Sequence, residues 1–414
     1  MCGIVGIVGL RPYSVGEALR LMSLAVGHRG PDDVGERILT TARGMIGLGH
    51  RRLAILDLSP LGHQPMQDPI TGNWLIYNGE IYNLNDLRGE LQTRGYQFRS
   101  RTDTEVILAA YGEWGLAALS RLRGMFALGL WDERLQRLIL ARDPFGIKPL
   151  YYSRLGNFFL FASEVRALLA SGLVPRRLSM EGLFSYLQFG SVQGTWTMID
   201  GVRSLSPGHY MIVEVHERGL CVGEVPYVES SSFASSLPST IPNRSEAAAH
   251  LRETLEESVR LHLLSDVPLG VFLSGGIDSS AIVALMSQVT KETPKTFSVV
   301  FAEKEFSEAA HSRLIASRFA TDHCEIHLSE QELLETLPGA FCAMDQPTMD
   351  GINTYVISKT VKEKGITVAL SGLGGDELFF GYPSFQRMQR AETVAKVPTW
   401  IRRGSALCAC VEKS

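Results

Sequence analysis

Met1-Cys2-Gly3-Ile4-Val5-Gly6-Ile7-Val8-Gly9 opens the chain, and this stretch decides how its first half is interpreted. The apolar run from Ile4 to Val8 predicts a buried strand that anchors the terminus and holds Cys2 at its edge. The small side chain at position 2 suits removal of Met1, which would leave a thiol and a free α-amine on one residue. A thiolate is a nucleophile, and an α-amine with a pKa near neutrality can act as its base. Cys2 is therefore a candidate catalytic residue, with an ordinary structural cysteine as the alternative.

Length and composition bound the remaining possibilities. A chain of 414 residues is long enough for two or three domains, and 45% hydrophobic with 20% charged residues is ordinary for a soluble globular protein. The net charge of -4 gives no reason to expect nucleic acid or an anionic membrane as a partner. Six scattered cysteines do not form a disulfide framework and indicate a reducing cytoplasm. No signal peptide is visible, and no apolar run reaches the length of a membrane span.

Polar side chains lie beside predicted elements at two places in the first half. Arg51 and Arg52 stand at the start of one predicted strand. An arginine there could clamp a substrate carboxylate through two hydrogen bonds, and a solvated arginine is the alternative. Farther along, Thr102 or Asp103 suits the N-cap of a predicted helix. Asp103 could instead receive a substrate α-ammonium.

Asn78-Gly79 follows a predicted strand at residues 74–77. One interpretation is a hairpin turn, which this dipeptide favours. The functional interpretation is an oxyanion hole. The Asn78 amide and the Gly79 backbone N–H would then point at a developing negative oxygen, and glycine allows close approach of the backbone.

Apolar segments at residues 124–132, 137–143, 146–152 and 158–164 predict further core strands. The first two read as a pair. A segment so rich in strands and poor in helices predicts sheet layers that pack face to face.

These motifs together resemble the class II glutamine amidotransferase domain of glutamine-hydrolysing asparagine synthetases. The resemblance covers nearly all of residues 2–207 in the same order. The matching motifs are Cys2-Gly3-Ile4, His28-Arg29-Gly30-Pro31-Asp32, Gly49-His50-Arg51-Arg52-Leu53, Asn78-Gly79-Glu80-Ile81-Tyr82-Asn83, Thr102-Asp103-Thr104-Glu105 and Phe145-Gly146-Ile147-Lys148-Pro149-Leu150-Tyr151.

The resemblance implies an αββα sandwich of the N-terminal-nucleophile type, in the α+β class. It implies that Cys2 attacks the side-chain amide of glutamine, that ammonia leaves from a thioester, and that water releases glutamate. By position, Asn78 and Gly79 match the catalytic oxyanion hole. The glutamine-binding residues implied are Arg51, Asn78, Gly79, Glu80 and Asp103.

The second half contains a loop of small and hydroxyl-bearing residues between a predicted strand and a predicted helix. It runs through Ser274-Gly275-Gly276-Ile277-Asp278-Ser279-Ser280. Backbone N–H groups and a helix N-terminus suit an anion there, and Asp278 could hold Mg²⁺. It lacks the Gly-Lys-Ser/Thr signature of a Walker loop. A plain strand–helix connection is the alternative.

Strands and helices alternate through the rest of the chain, and Ser245 suits the cap of the first helix. This alternation predicts a doubly wound α/β domain with a parallel sheet and ligands at the carboxyl ends of its strands. Ser371-Gly372-Leu373-Gly374-Gly375-Asp376-Glu377 follows one of those ends. We expect domains at 2–207 and 245–414, joined by a connecting segment at 208–244.

The two loops of the second half resemble those of ATP pyrophosphatases and of the asparagine synthase domain. The resemblance implies ATP and Mg²⁺ as cofactors, with the metal held by Asp278 and Asp376. The implied ATP-binding residues are Leu273, Ser274, Gly275, Gly276, Asp278, Ser279, Ser280, Val299, Ser371 and Gly372.

Two departures from the family pattern bear on the acceptor substrate. Well-known members carry glutamate, associated with acyl-adenylate formation, where this chain has Leu373. They also continue into a helical segment with further catalytic residues, to which the sequence after Gly381-Tyr382-Pro383 has no match. We therefore expect a second domain that is shortened at its C-terminus.

The sequence thus predicts an ATP-dependent carbon–nitrogen ligase with glutamine as amido donor. Glutamine is hydrolysed to glutamate and ammonia, and the β-carboxylate of aspartate is adenylated for amidation, with release of AMP and pyrophosphate. The alternatives are a glutaminase alone, a non-catalytic remnant that binds nucleotide or a partner, and an amidotransferase for a different carboxylate. The expected ligands are glutamine, ATP and aspartate or another carboxylate, and a homodimer is one assembly we consider.

Overall fold

The computed structural model describes residues 1–10, 13–217, 219–228, 243–301 and 308–395. The chain divides into two compact units, Met1–Leu269 with Ser329–Val368 and Gly270–Leu328 with Ala369–Ser414. Within the described ranges, no helix combines the length and apolar character needed to cross a bilayer.

The first unit contains twelve strands and eight α-helices among the described residues. The strands are β1 (Gly3–Leu10), β2 (Asp33–Thr40), β3 (Gly44–Arg52), β4 (Met66–Gln67), β5 (Trp74–Ile81), β6 (Gly124–Asp132), β7 (Arg137–Arg142), β8 (Tyr151–Leu155), β9 (Phe158–Ala162), β10 (Val202–Ser204), β11 (His209–His216) and β12 (Gly219–Pro226). The helices are α1 (Gly16–Ala25), α2 (Leu84–Thr93), α3 (Asp103–Trp114), α4 (Val165–Ala170), α5 (Met180–Phe189), α6 (Arg244–His262), α9 (Glu330–Ala343) and α10 (Gly351–Glu363).

Two six-stranded sheets form the centre of this unit, in the orders β10-β8-β9-β1-β3-β2 and β12-β11-β7-β6-β5-β4. Neighbouring strands pair antiparallel in both sheets, as β1 does with β3 and β9 and as β6 does with β5 and β7. Three buried clusters separate the layers: one between α1 and α4 and the first sheet, one between the sheets, and one between the second sheet and α2 and α3. The predicted αββα sandwich is confirmed.

Strand β1 shows how the sequence specifies these layers. Successive side chains of a strand point to opposite faces. Ile4 and Val8 accordingly join the cluster between the sheets, whereas Val5 and Ile7 join the cluster against the helices. Each of these four side chains is almost completely buried, which explains why the run is continuously apolar.

The second unit holds the predicted parallel sheet. Its elements are β13 (Leu269–Phe272), α7 (Ile277–Val289), β14 (Lys295–Phe301), α8 (Ala309–Arg318), β15 (Asp322–Leu328), β16 (Val368–Leu370), α11 (Gly375–Phe379) and α12 (Pro383–Ala395). The sheet has the order β15-β14-β13-β16, and β14 pairs in parallel with both β13 and β15. The chain order changes direction between β13 and β16, where ligands bind in open sheets of this type.

Four local predictions need correction. The strand expected at 146–152 begins only at Tyr151. Arg51 and Arg52 end β3 rather than beginning a strand, and residues 53–56 form no strand. Asn78-Gly79 lies inside β5 and makes no hairpin turn. Helix α6 is capped by the Asn243 side chain, which accepts from the Glu246 N–H, and not by Ser245.

The expected domain boundaries at 207 and 244 stay predictions. Strands β11 and β12 lie beyond the first of them and complete the second sheet. The Ser/Pro-rich residues 229–242 and the residues after 395 lie outside the described part of the chain.

Candidate active site

The thiol of Cys2 lies beside the backbone of Leu53, directly after the end of β3. Its Sγ atom is 3.4 Å from the Leu53 nitrogen and 3.6 Å from the Leu53 carbonyl oxygen. The pairing of β1 with β3 sets Gly3 opposite Arg51 and so brings these residues together. The Cys2 thiol is thus held by two neighbouring strands of the first sheet.

Burial shifts the pKa values at the chain terminus in opposite directions. It lowers the pKa of the Met1 amine to about 5, with Arg29 and Lys148 contributing in the same direction. Burial also raises the pKa of the Cys2 thiol. These surroundings therefore disfavour the charged forms of both the Met1 amine and the Cys2 thiol.

Asn78 presents a buried amide without a partner. Its side chain is 1% exposed, and Nδ2 donates no hydrogen bond to any described residue. A buried unpaired donor is costly, so a ligand oxygen would satisfy it. The next residue must be glycine, because a Cβ on Gly79 would lie 2.2 Å from the Met125 carbonyl oxygen.

Strand β5 is held in place by hydrogen bonds from His50 of β3 and from the Gln64 side chain. The His50 Nε2 atom lies 3.1 Å from the Tyr77 carbonyl oxygen. Burial lowers the pKa of His50 to about 3, so the ring is neutral. The Gln64 side chain accepts from the Tyr77 N–H at 2.7 Å and donates to Thr104 at 3.0 Å.

Glu80 and Lys148 are two partly enclosed charges near the terminus. Burial raises the pKa of Glu80 to about 7, although Lys148 acts to lower it. Burial lowers the pKa of Lys148, whose Nζ lies 3.2 Å from Met1 Sδ. Burial thus disfavours the charged form of each group.

Asp103 is the first residue of α3 and reaches across to β5. Its carboxylate accepts from the Tyr77 hydroxyl at 2.9 Å and from the Ile81 N–H at 3.3 Å. Burial raises its pKa to about 6. The Thr102 side chain caps the helix by accepting from the Glu105 N–H, in agreement with the prediction of a cap at 102 or 103.

The adjacent arginines Arg51 and Arg52 have different surroundings. Arg51 donates from Nε to Ser23, and its two terminal nitrogens contact no acceptor among the described residues. Arg52 is buried and donates to the carbonyls of Leu56, Asp57 and Ser59. The terminal nitrogens of Arg51 are therefore available to a ligand. Arg52 instead holds the loop at residues 56–59 in place.

In the second unit, the two predicted loops follow β13 and β16. The Ser274 hydroxyl lies 2.9 Å from the Ser279 hydroxyl and accepts from the Gly276 N–H at 3.3 Å. Gly275 has a φ of +84°, and a Cβ there would lie 2.6 Å from the His311 Cβ. Leu273 is buried, while Ser274, Gly276 and Ser371 are exposed.

Asp278 brings the two loops together at the start of α7. A Cβ on Gly375 would lie 2.4 Å from its Oδ2, and one on Gly372 would lie 3.0 Å from its Cβ. Asp376 is the second residue of α11, which begins directly after the second loop. The described residues contain no group of three or more metal-ligating side chains. Mg²⁺ commonly takes one or two carboxylates together with phosphate oxygens, and Asp278 and Asp376 supply ligands of that type.

Sequence reasoning missed several residues of the Cys2 site. The Leu53 backbone, Lys148 and Arg29 all lie at the terminus, and Arg29 donates to the Cys2 carbonyl oxygen at 2.9 Å. The Phe145–Tyr151 motif contained Lys148, but nothing in its local pattern indicated that the ammonium would be enclosed.

Two family models match the chain. A glutamine amidotransferase domain matches residues 1–222, and an asparagine synthase domain matches residues 250–408. Both matches follow the order that the motifs predicted.

Curated proteins similar to this chain include asparagine synthetases and an amidase. The chain is 34% identical over 409 residues to asparagine synthetase [glutamine-hydrolyzing] 1 of Bacillus subtilis (strain 168), covering 97% of this chain and 62% of that protein. It is 32% identical over 421 residues to putative asparagine synthetase [glutamine-hydrolyzing] 2 of Methanocaldococcus jannaschii, covering 97% of this chain and 79% of that protein. It is also 35% identical over 378 residues to amidase chyE of Penicillium rubens, covering 87% of this chain and 54% of that protein.

Among solved structures, a glutamine phosphoribosylpyrophosphate amidotransferase from B. subtilis aligns with a TM-score of 0.42 and 16% identity. That alignment covers 79% of this chain and 81% of the other. The sequence matches span both halves of the chain, and they show that it belongs to the family of glutamine-hydrolysing asparagine synthetases.

Proposed function

We propose that the chain is a glutamine-dependent, ATP-consuming amide ligase whose default product is asparagine. The proposal joins two chemistries, ammonia release at Cys2 and carboxylate activation at the loops of the second unit. The family membership and the arrangement of each group of residues support it. The observation that carries it is the buried, unpaired side-chain amide of Asn78, a donor that suits the negative oxygen of an attacked glutamine amide.

In the first step, the Cys2 sulfur attacks the side-chain carbonyl carbon of glutamine. After removal of Met1, the α-amine of Cys2 takes the thiol proton and passes it to the leaving nitrogen, which departs as ammonia. The negative oxygen of the tetrahedral intermediate would accept from Asn78 Nδ2 and from the Gly79 N–H. Water then attacks the thioester carbon, and glutamate and the free thiol are regenerated.

Charged groups around the thiol would orient glutamine. Arg51, with its terminal nitrogens free, suits the α-carboxylate, and a bidentate pair would fix its direction. Asp103 and Glu80 suit the α-ammonium, and a bound cation would hold their pKa values below those of the empty pocket.

In the second step, ammonia attacks an acyl-adenylate. The carboxylate oxygen of the acceptor displaces pyrophosphate from ATP, and ammonia then displaces AMP to leave the amide. The loop hydroxyls and N–H groups around Ser274 suit the phosphates. Asp278 and Asp376 would hold Mg²⁺, which neutralises phosphate charge. A reducing compartment such as the cytoplasm would keep the Cys2 thiol available.

The test is a single incubation of the chain with glutamine, ATP, Mg²⁺ and aspartate, in which glutamate, pyrophosphate and asparagine are all quantified. We expect all three products, with pyrophosphate dependent on aspartate. Cys2→Ala should abolish glutamate release, and free ammonia should then restore asparagine formation. Cys221→Ala, at an exposed cysteine, is the matched control. Glutamate without pyrophosphate would reduce the function to that of a glutaminase.

An amidotransferase for a different carboxylate is the second candidate. Leu373 is 82% exposed in the loop after β16, so an apolar side chain lies where the family resemblance places glutamate. Relatives named as amidases also match the chain at 34% and 35% identity. Pyrophosphate release with a larger carboxylic acid, in the absence of a response to aspartate, would establish this alternative.

A further inference from the structure

Four consecutive residues, Ser163–Arg166, connect the start of β1 to the end of helix α9. On one side, the Ser163 hydroxyl accepts from the Ile4 N–H at 3.0 Å, and the Ser163 N–H donates to the Ile4 carbonyl at 2.9 Å. These contacts pin the strand that begins one residue after Cys2. The segment therefore determines where the nucleophile's backbone lies.

A second contact from the same segment reaches the nucleophile's own peptide group. The Arg29 guanidinium donates to the Cys2 carbonyl oxygen at 2.9 Å and to Glu164 Oε1 at 2.8 Å. The side chains of Arg29 and Glu164 are only 9% and 8% exposed, so solvent screens this ion pair weakly. His28 Nε2 also lies 3.0 Å from Glu164 Oε1.

The other oxygen of Glu164 extends the chain of charges. Glu164 Oε2 lies 3.0 Å from Arg166 Nε, an ion pair rather than a well-directed hydrogen bond. Arg166 donates to the carbonyls of Cys342 at 3.1 Å and Ala343 at 2.8 Å, at the end of α9. We call Arg29, Glu164 and Arg166 the charge relay.

Asp345 holds the relay from beyond α9. Its carboxylate accepts from the backbone N–H groups of Val165 at 2.6 Å and Arg166 at 2.9 Å, and from Arg166 Nε at 3.3 Å. Asp345 lies within residues 250–408, which match the asparagine synthase family, although it packs in the same compact unit as Cys2. One part of the second family match thus touches the framework of the first site.

We propose that Asp345 is a positioning residue for Cys2, which acts through the charge relay and makes glutamine hydrolysis depend on the asparagine synthase part of the chain. The inference rests on the proposed glutaminase activity. The proposed glutamine-binding residues do not include Asp345 or Arg166. Substitutions at these two positions would therefore change the placement of the thiol and not the binding of the substrate. A small displacement of a reacting atom can lower the rate of the chemical step strongly.

The experiment compares Asp345→Ala, Asp345→Asn and the control Asp350→Asn in the full chain. Asp350 is close in sequence, and its side chain accepts only from Thr354 in the described structure. We expect Asp345→Ala to lower kcat for glutamate release about tenfold, with KM for glutamine within about twofold. The Val165 and Arg166 N–H groups bind different oxygens of the carboxylate, and asparagine keeps one of them, so Asp345→Asn should have a rate between those of Asp345→Ala and the wild type.

A double variant tests whether the effect passes through the relay. If Glu164→Gln and Asp345→Ala act along one chain of contacts, their combined loss of kcat will be smaller than the product of the separate losses. A combined loss of kcat equal to the product of the two separate losses would contradict an effect that passes through the charge relay. An Asp345→Ala protein that is folded and has the kcat of the control would overturn the proposal as well.

Alkylation of Cys2 by iodoacetamide gives a readout that needs no turnover. Peptide mass spectrometry follows Cys2, with exposed Cys221 as the internal standard. We expect Asp345→Ala to change the Cys2 rate at least threefold, because thiol reactivity follows its surroundings, and to leave the Cys221 rate unchanged. If the wild type releases no glutamate, the proposed function fails, and the alkylation rates still decide this inference. Arg166→Lys replaces Asp345→Ala should the latter not fold.

Discussion

Asn78 and Glu80 lie in the same strand, and each has a polar group whose needs the protein leaves unmet. Asn78 offers a donor that no described residue uses, and Glu80 holds a carboxylate in surroundings that favour its neutral form. Both cost stability in the empty site, and both would be relieved by a polar ligand. Such conflicts between local stability and burial are typical of functional sites.

Asn78→Ala should therefore impair turnover more than binding. We expect kcat for glutamate release to fall about 100- to 1000-fold, as for the removal of one oxyanion-hole donor, with KM changed much less. Steady-state glutaminase kinetics measure both values. Asn157→Ala, at an exposed turn, is the control. A rise in KM at unchanged kcat would exclude the oxyanion role.

Glu80→Gln should stabilise the chain in alkaline solution. The folded pKa of about 7 lies above the ordinary value of 4.5, so the folded state binds the proton more tightly than the unfolded state does. Stability from this group is thus present at low pH and is lost as pH rises from about 4.5 through about 7. We expect the variant to gain about 3 kcal/mol in free energy of unfolding at pH 8 and little at pH 4.

Denaturant titrations at several pH values measure that difference. Glu253→Gln, at an exposed glutamate of α6, is the control and should show no such dependence. An equal effect of Glu80→Gln at pH 4 and pH 8 would contradict the assignment.

At the scale of elements, helix α3 places its N-cap beside a residue of the candidate glutamine site. Thr102 caps the helix, and the next residue, Asp103, turns toward the Tyr77 hydroxyl in β5. The end of the helix and the site are thus fixed by neighbouring residues. Loss of the cap would loosen the first turn that carries Asp103.

Thr102→Ala should lower the free energy of unfolding by about 1 kcal/mol, the usual cost of a lost N-cap. We also expect a higher KM for glutamine, because Asp103 would be less well placed. Thr102→Ser should restore both values. Thermal or chemical denaturation together with glutaminase kinetics provide the comparison, and Thr93→Ala serves as an exposed threonine control. A KM unchanged in the destabilised variant would separate the cap from the site.

At the scale of the whole molecule, the two predicted sites lie in different compact units. The described residues around Cys2 belong to the first unit, and the loops after β13 and β16 belong to the second. The ligase chemistry would require ammonia from one site to reach the other, whereas each site has its own set of side chains. The two activities should therefore respond separately to substitutions at their own residues.

Asp278→Asn tests this separation. We expect the Kd for ATP in the presence of Mg²⁺ to rise roughly tenfold or more, since one carboxylate of the predicted metal site is lost. Glutamate release without ATP should stay within about twofold of wild type. Calorimetry and the glutaminase assay measure the two effects, and Asp322→Asn in β15 is the control. Unchanged ATP affinity would remove Asp278 from the nucleotide site.

Local patterns predicted most elements correctly where the hydrophobic period was clear. The β1 strand, the β6–β7 pair and the alternating elements of the second unit all have apolar runs that fit their observed elements. The Asn78-Gly79 hairpin was wrong because pairing with β6 overrides the dipeptide's turn preference. The strand after Arg51 was wrong because Arg52 instead ties residues 56–59 into a loop.

The sequence by itself determined which chemical groups are present and the order of the motifs, because the Cys2, Asn78 and Ser274 stretches are each local. Only the tertiary structure decided which groups meet. Arg166 and Asp345 lie 179 positions apart in the chain, and no local period relates them. Burial likewise belongs to the folded state, so the shifted pKa of Glu80 and the unpaired amide of Asn78 follow from packing and not from residue type.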